Sequence, residues 1–345
     1  MLWLTNAEAE QAFDGLSGEA YSSVKGVFIQ NAGLVADAAI GRIDQAFDTV
    51  DAGGVSRVSS YADAPALPAA PARNRGLWGQ VYGSFGNLAA TDGTAAVGSA
   101  TRGLAAGFDE LLGAWRLGLM AQAGDTGVTV PSLNSSIHST DYGLGVYGGR
   151  QWGNTRLSLG AAYTRHDVGS TREVAFPDFT DNLSANYSAG TAQAFGKLSH
   201  EFHLRAVTLM PYASLVYVRH ATDGFTETGG EAALTSAANV VGAAFTTIGL
   251  RLDRRFVTPD DMILTVKGSF GWRHALADDP RSLNSFAHGT GFSVFGAPIV
   301  SDAAVLSVVL DLDVGTGTAL GIAYDGQFGG GLETYAIRGT CSTQF

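Results

Sequence analysis

The sequence predicts an all-β fold: an up-and-down antiparallel transmembrane β-barrel of about twelve strands, preceded by an N-terminal helical region. Three observations carry this. Charged residues make up 15% of the 345 residues and hydrophobic ones 46%, which is lean in charge for a soluble surface. No stretch approaches the roughly 18 to 20 apolar residues of a spanning helix. The apolar residues are instead diluted at every second position by Ser, Thr, Gly and single charges, as in strands with one lipid-facing and one polar side.

Taken in order, residues 6–48 read as helix. Asn6 and Ser17 are candidate N-caps, with Glu8 and Glu10 in one first turn and Glu19 in the other. From Tyr21 the apolar positions Val24, Val27, Phe28, Leu34, Val35, Ala38, Ala39 and Ile43 step at helical spacing. A helix over 20–47 would be roughly 40 Å long. It carries Lys25, Gln30, Asn31, Asp37, Arg42 and Asp44, too polar a set to lie in lipid. A polar lumen would suit it, as would an ordinary surface position. Between 50 and 75, Pro65, Pro68 and Pro71 forbid regular pairing, which predicts a linker. The expected division is therefore 1–49 helical, 50–75 Ala/Pro-rich linker and 76–345 barrel.

The strand segments sort their charges. Trp115, Leu117, Leu119, Ala121 and Ala123 fall on one face, with Arg116, Gly118, Met120 and Gln122 on the other. Around Leu157, Phe270 and Leu306 the same sorting places Arg156, Lys267, Arg273, Asp311 and Asp313 opposite the apolar residues. A charge on the lipid side costs about 2–4 kcal/mol at the midplane, so these six charged residues are expected to face the lumen. The facing of 185–198 and 202–218 is left open by weaker alternation. A large soluble sandwich shows similar alternation, and connection lengths separate the two. Short turns near Glu110, 152–154, 199–201 and 315–317, with a somewhat longer one at 254–260, alternate with long polar loops at 87–100, 124–138, 167–183, 219–236 and 275–300. A membrane barrel has this asymmetry, and a Greek-key sandwich has no reason for it.

Net charge is −11 with no basic stripe, which argues against nucleic acid as a partner. A single cysteine, Cys341, excludes an intramolecular disulfide. The opening Met-Leu-Trp-Leu-Thr-Asn lacks an export signal's basic and long apolar regions, so the chain is expected to derive from a longer precursor. No catalytic constellation, metal set or cofactor motif stands out. His200-Glu-Phe-His203 lacks the four-residue His spacing of a zincin and falls at an expected turn. Ser84 lacks a Gly-x-Ser-x-Gly elbow. His138, His166, His220, His274 and His288 fall in or beside expected loops, where solvation is the simplest reading. The strand glycines are expected to let a lumen helix approach the wall.

Several segments together resemble the translocator of monomeric (type Va) autotransporters. They are Leu16-Ser-Gly-Glu-Ala-Tyr21 before a long helix, Leu77-Trp-Gly-Gln-Val-Tyr-Gly83, Pro211-Tyr-Ala-Ser-Leu-Val-Tyr217 through Gly224-Phe-Thr-Glu-Thr-Gly-Gly230, and Tyr324-Asp-Gly-Gln-Phe328. Each is loose alone, and their order and spacing carry the likeness over about 16–345. The resemblance implies a twelve-stranded barrel in the outer-membrane lipid with the helix in its lumen, bearing Lys25, Asn31, Asp37 and Arg42. It implies export of an N-terminal passenger, helped by the BAM assembly machinery and periplasmic chaperones, with no cofactor and no substrate turned over. It also implies an assembly signal at the C-terminus, where Phe345, Ile337 and Tyr335 fit, while Thr343 and Gly339 are weak members of the pattern. Some relatives cleave themselves at a barrel Asn; the surroundings of Asn31 do not resemble that linker, which favours a wall hydrogen bond. Glu227 would anchor a loop, touch the helix or simply be solvated. Other functions considered are a porin-like channel, which leaves the helix without a role, and the membrane anchor of a surface enzyme such as an esterase.

Overall fold

A computed structural model describes residues 5–53, 74–205, 207–260, 262–315 and 317–345. Two helices come first, α1 (Asn6–Ser17) and α2 (Ala20–Gly53). The cap of α1 is Thr5 and not Asn6: its hydroxyl accepts from the Glu8 N–H while the Glu8 carboxylate accepts from the Thr5 N–H. Ser17 ends α1, and Gly18 at φ 73° turns the chain into α2. The latter is longer than the sequence predicts, and most of the expected linker (54–73) lies outside the described residues.

Twelve long strands follow: β1 (Arg75–Leu88), β2 (Val97–Leu112), β3 (Trp115–Val130), β4 (Ser135–Trp152), β5 (Thr155–Phe176) and β6 (Phe179–His200). After them come β7 (Val207–Thr222), β8 (Asn239–Val257), β9 (Ile263–Ala277), β10 (Asp302–Asp313), β11 (Thr318–Gly329) and β12 (Leu332–Gln344). Each pairs antiparallel with its sequence neighbours, and β1 pairs with β12 from Gly76↔Gln344 to Leu88↔Leu332. The backbones of Arg75 and Phe345 exchange both hydrogen bonds, at 3.1 and 2.9 Å, so the seam has no free edge. The barrel is closed, as the alternation predicts.

The outward positions carry the apolar residues. Leu117, Leu119, Leu159, Ile248, Phe270 and Leu306 are exposed, while Arg116, Arg156, Met120 and Lys267 on the alternate positions are buried inside. Exposed aromatics form two girdles, with Phe85, Tyr142, Tyr163, Tyr217 and Trp272 at one level and Trp152, Phe202, Phe256 and Phe345 at the other. On β4, Tyr142 and Trp152 stand ten residues apart. At about 3.3 Å per residue and a tilt near 40°, that is roughly 25 Å, the height of an outer-membrane apolar band.

Beyond the first girdle the pattern reverses. Val128, Val130, Ile137, Val168, Val174 and Leu183 are buried inside, and Arg102, His138, Arg165, Asp167 and Arg219 point out. With water rather than lipid outside, the apolar side turns inward, as in a soluble sheet. This corrects two expected loops. Residues 124–138 and 167–183 are mostly strand, and β3–β4 and β5–β6 are joined by 131–134 and 177–178. The long connections at this end are 89–96, 223–238 and 278–301; the last two contribute Phe225–Thr226, Leu234–Ser236, Arg281–Phe286 and Phe292–Phe295 to a four-stranded sheet. The expected turn near Glu110 is Gly113–Ala114. Long connections mark the extracellular end and short turns the periplasmic end.

Val146, 54% exposed, lies on the outer face of β4 near the middle of the band between Tyr142 and Trp152. Val146→Arg is expected to lower barrel stability by about 2–4 kcal/mol, whereas Thr140→Arg, above the girdle, costs about 0–1 kcal/mol. Urea titration of folding into lipid vesicles checks this, and equal costs at the two positions would refute the assigned band.

Candidate functional site

α2 runs down the lumen from the extracellular loops to the periplasmic turns, leaning on β2–β7. Its apolar face (Ile29, Ala32, Ala36, Ala39, Ile43) packs with inward residues such as Met120, Tyr147 and Phe195. Phe195 and Tyr147 lie over Gly160 and Gly118 of adjacent strands, where any Cβ would collide with the rings. Gly149 leaves room for Ile43. Strand glycines thus seat wall aromatics as well as the helix, an extension of their expected role.

At the extracellular end, Glu227 is buried and accepts from the Tyr21 hydroxyl, from Nε and Nη2 of Arg172 (3.0 and 2.6 Å) and from the Leu234 N–H (2.8 Å). One carboxylate therefore ties helix, wall and loop together. Arg172 also donates to the Gly15 carbonyl, fixing α1 against β5. Lys25 donates to the Arg281 carbonyl (2.6 Å) and Ser22 to that of Val294 (2.8 Å), so the loop sheet grips the first turns of α2.

Midway, Asn31 donates to the Thr101 hydroxyl at 2.8 Å. Phe28 stacks on His166 and His220, with ring centroids at 4.2 and 5.3 Å. His166 bonds Asp141 (2.7 Å) and Thr191 (2.8 Å). These two histidines are buried lumen residues and not solvated loop ones; the strand extension carries them inside. His138 and His288 are exposed, and His274 pairs with Asp302.

At the periplasmic end two ionic clusters clasp the helix. Asp109 accepts from Arg42 of α2 (2.6 Å), from Arg116 of the wall and from the Tyr147 hydroxyl (3.0 Å), which in turn accepts from Trp78. Lower down, Asp44 meets Arg156 (3.2 Å), Lys197 (2.8 Å) and Arg251 (3.1 Å). Asp48 meets Arg156 (3.0 Å), Arg251 (3.2 Å) and Lys267 (2.8 Å), and Lys267 also bridges to Asp311. Wall cations and helix carboxylates compensate each other in a partly dry lumen, where an uncompensated charge would be costly.

Of the predicted lumen residues, Arg116, Arg156, Lys267 and Asp311 thus join these clusters. Arg273 donates to Gln327 (2.8 Å) and lies over the Phe245 ring, and it forms no ion pair among the described residues. Asp313 stands apart, accepting from the Gly315 N–H in a periplasmic turn. On the helix, Lys25, Asn31 and Arg42 bond the surroundings, while Asp37 is exposed to the lumen's open side. Phe345 and Ile337 are exposed on the outer face of the seam, and Tyr335 shares that face. Sequence reasoning missed Asp44 and Asp48 as a pair; their four-residue spacing near the end of α2 was the available signal. Asp109 and Tyr21 gave none. His200 and His203 sit at a periplasmic turn on Thr155 and Thr208, and no metal-binding group of three occurs among the described residues.

A lipid-facing band, a closed sheet and a charge-clasped helix in its centre define an outer-membrane β-barrel filled by its own N-terminal segment. The autotransporter β-domain family matches residues 77–325, and the chain belongs to that family. Two extracellular serine proteases of Serratia marcescens are 28% and 27% identical to it over 98% and 99% of the chain. The chain spans 31% of the length of each. The fold is shared with the β-domain of the Bordetella autotransporter BrkA (TM-score 0.62, 17% identity, 79% of this chain and 100% of that one). It is also shared with the translocator domain of NalP from Neisseria meningitidis (TM-score 0.62, 14% identity, 93% and 99%). The chain is a translocator β-domain of the bacterial outer membrane, and its twelve strands make it a multi-pass membrane protein.

Proposed function

We propose that this chain exports a passenger attached upstream of Thr5 to the cell surface and retains α2 in its pore afterwards. The observation that carries the reading is the direction of α2. Its C-terminal half is clasped at the periplasmic end, and its N-terminus emerges among the extracellular loops, with α1 packed on the inward-facing Arg172 and Val174 of β5, well beyond the apolar band. Whatever precedes α1 therefore begins outside the membrane. The functional division is a helical part (1–49), a connecting part (50–75) and the barrel (76–345). The Lys25, Asn31 and Arg42 contacts position the helix, and Phe345, Ile337 and Tyr335 act as the signal read by the BAM machinery after chaperone delivery. The chain itself turns over no substrate; the protease activity in the names of the Serratia relatives would belong to a passenger.

The test is an epitope fused upstream of Thr5 in a chain carrying an export signal. External protease or antibody should reach it in intact cells. Access only after the outer membrane is permeabilised would sink the reading, and would favour a porin-like channel whose N-terminal segment stays periplasmic.

A further inference from the structure

On the outside of the barrel, a hollow interrupts the wall at the extracellular edge of the apolar band. Its floor is β6, whose outward residues Ser188, Gly190, Ala192, Ala194 and Gly196 are all small. The strands on either side carry larger groups in register with this floor. Arg165 of β5 lies opposite Gly190, and Ala192 lies between Tyr163 of β5 and Arg219 of β7. A Cβ on Gly190 would collide with the Tyr163 hydroxyl, so the glycine lets that ring lean in and form one side. The space enclosed between Tyr163, Arg165, Arg219 and Asp223 is about 220 Å³. Towards the membrane centre the floor continues over Ala194 and Gly196, with Leu159 and Leu215 flanking Gly196.

The height and charge of the hollow point to its occupant. Tyr163 and Tyr217 belong to the extracellular girdle, and Arg165 and Arg219 each stand two residues beyond them. At about 3.3 Å per residue and a tilt near 40°, that is roughly 5 Å above the hydrocarbon edge, the level of lipid headgroups. Arg165 donates through Nε to Asp167 and through Nη2 to Ser188, both at 3.0 Å, which fixes its guanidinium on the rim and leaves Nη1 available. Arg219 is exposed and makes no hydrogen bond or ion pair among the described residues. Two guanidiniums and one carboxylate, Asp223, line the hollow, an excess of one positive charge. Guanidinium groups match phosphate oxygens in charge and geometry. The small, apolar floor below them leads from the headgroup level into hydrocarbon, as an acyl chain does.

We propose that this hollow binds one molecule of lipid A, the phosphorylated and acylated glycolipid of the outer leaflet. A phosphate sits between Arg165 and Arg219, and one acyl chain follows the floor over Ala192, Ala194 and Gly196. The lipid is then a fixed neighbour of β5–β7, held apart from the lipids that exchange around the rest of the barrel.

The test is native mass spectrometry of the full chain in detergent, titrated with diphosphorylated lipid A, with heat-modifiable gel mobility confirming a folded barrel for every variant. The wild type is expected to retain one lipid A per barrel. Arg219→Gln should raise the concentration needed for half occupancy on the order of ten-fold, and the double variant with Arg165→Gln on the order of a hundred-fold. Ala192→Trp keeps both guanidiniums and fills the floor with an indole, so it should abolish retention as well. That variant also covers the case of an arginine variant that fails to fold. Arg254→Gln removes a cation that lies over Phe256 of the periplasmic girdle, and should leave retention unchanged. Wild-type retention by the double variant or by Ala192→Trp overturns the proposal, as does an equal loss from Arg254→Gln. Equal retention of phosphatidylglycerol, or of lipid A stripped of its phosphates, overturns it too.

Discussion

Asp109→Ala is expected to lower the stability of the barrel by about 3–5 kcal/mol, the cost of removing one partner from a buried ion pair. The side chains of Arg42 and Arg116 that meet this carboxylate are both 1% exposed, so deletion strands two guanidiniums at once. The Tyr147 hydroxyl loses its acceptor as well. Arg42→Met should cost less, because Arg116 still neutralises Asp109 from the wall side. Asp313→Ala should stay within about 0.5 kcal/mol, since that carboxylate serves only a turn. The temperature at which gel mobility shifts from folded to unfolded, together with urea titration in detergent, ranks the three. A ranking with Arg42→Met as costly as Asp109→Ala would show that the helix contact, and not the stranded charge, dominates.

Deleting residues 1–53 should raise single-channel conductance on the order of ten-fold above that of the full chain. A helix about 10 Å across occupies roughly 80 Å² of section. The space left beside it is the narrower cavity between α2 and β8–β12. The deletion also removes Asp44 and Asp48, leaving the four wall cations Arg156, Lys197, Arg251 and Lys267 against the three wall carboxylates Glu201, Asp253 and Asp311, an excess of one positive charge. The widened pore should therefore prefer anions, more strongly in dilute salt where screening is weak. Reversal potentials at two ionic strengths measure this. Unchanged conductance after the deletion would remove α2 from the lumen in membranes.

Much of this was legible in the sequence because lipid imposes a sorting rule. Within the band every outward charge costs energy, so Arg116, Arg156 and Lys267 announce the inner face by position alone. The rule lapses above Tyr142 and Tyr163, where water lies outside. There Val128, Ile137 and Val174 turn inward, and the polar residues between them read as loop although they pair as strand. That reversal hid His166 and His220. The ion pairs were hidden for another reason. Asp44 and Arg251, or Arg42 and Asp109, are brought together by barrel closure across 207 and 67 residues of chain, a distance no local pattern spans.

The seam between β1 and β12 has a consequence for how the molecule is made. Its pairs, such as Gly76 with Gln344, join residues from opposite ends of the barrel sequence, so the sheet cannot close until the last strand has arrived. Until then β1 presents an unpaired row of N–H and C=O groups, a template for the wrong strand. The grip of Arg281 and Val294 on Lys25 and Ser22 is likewise a late event, since it joins residues 256 and 272 apart. Assembly is thus all-or-none at its final step: an incomplete chain is an open sheet with two adhesive edges, and keeping such a sheet from its neighbours is work for a holding chaperone.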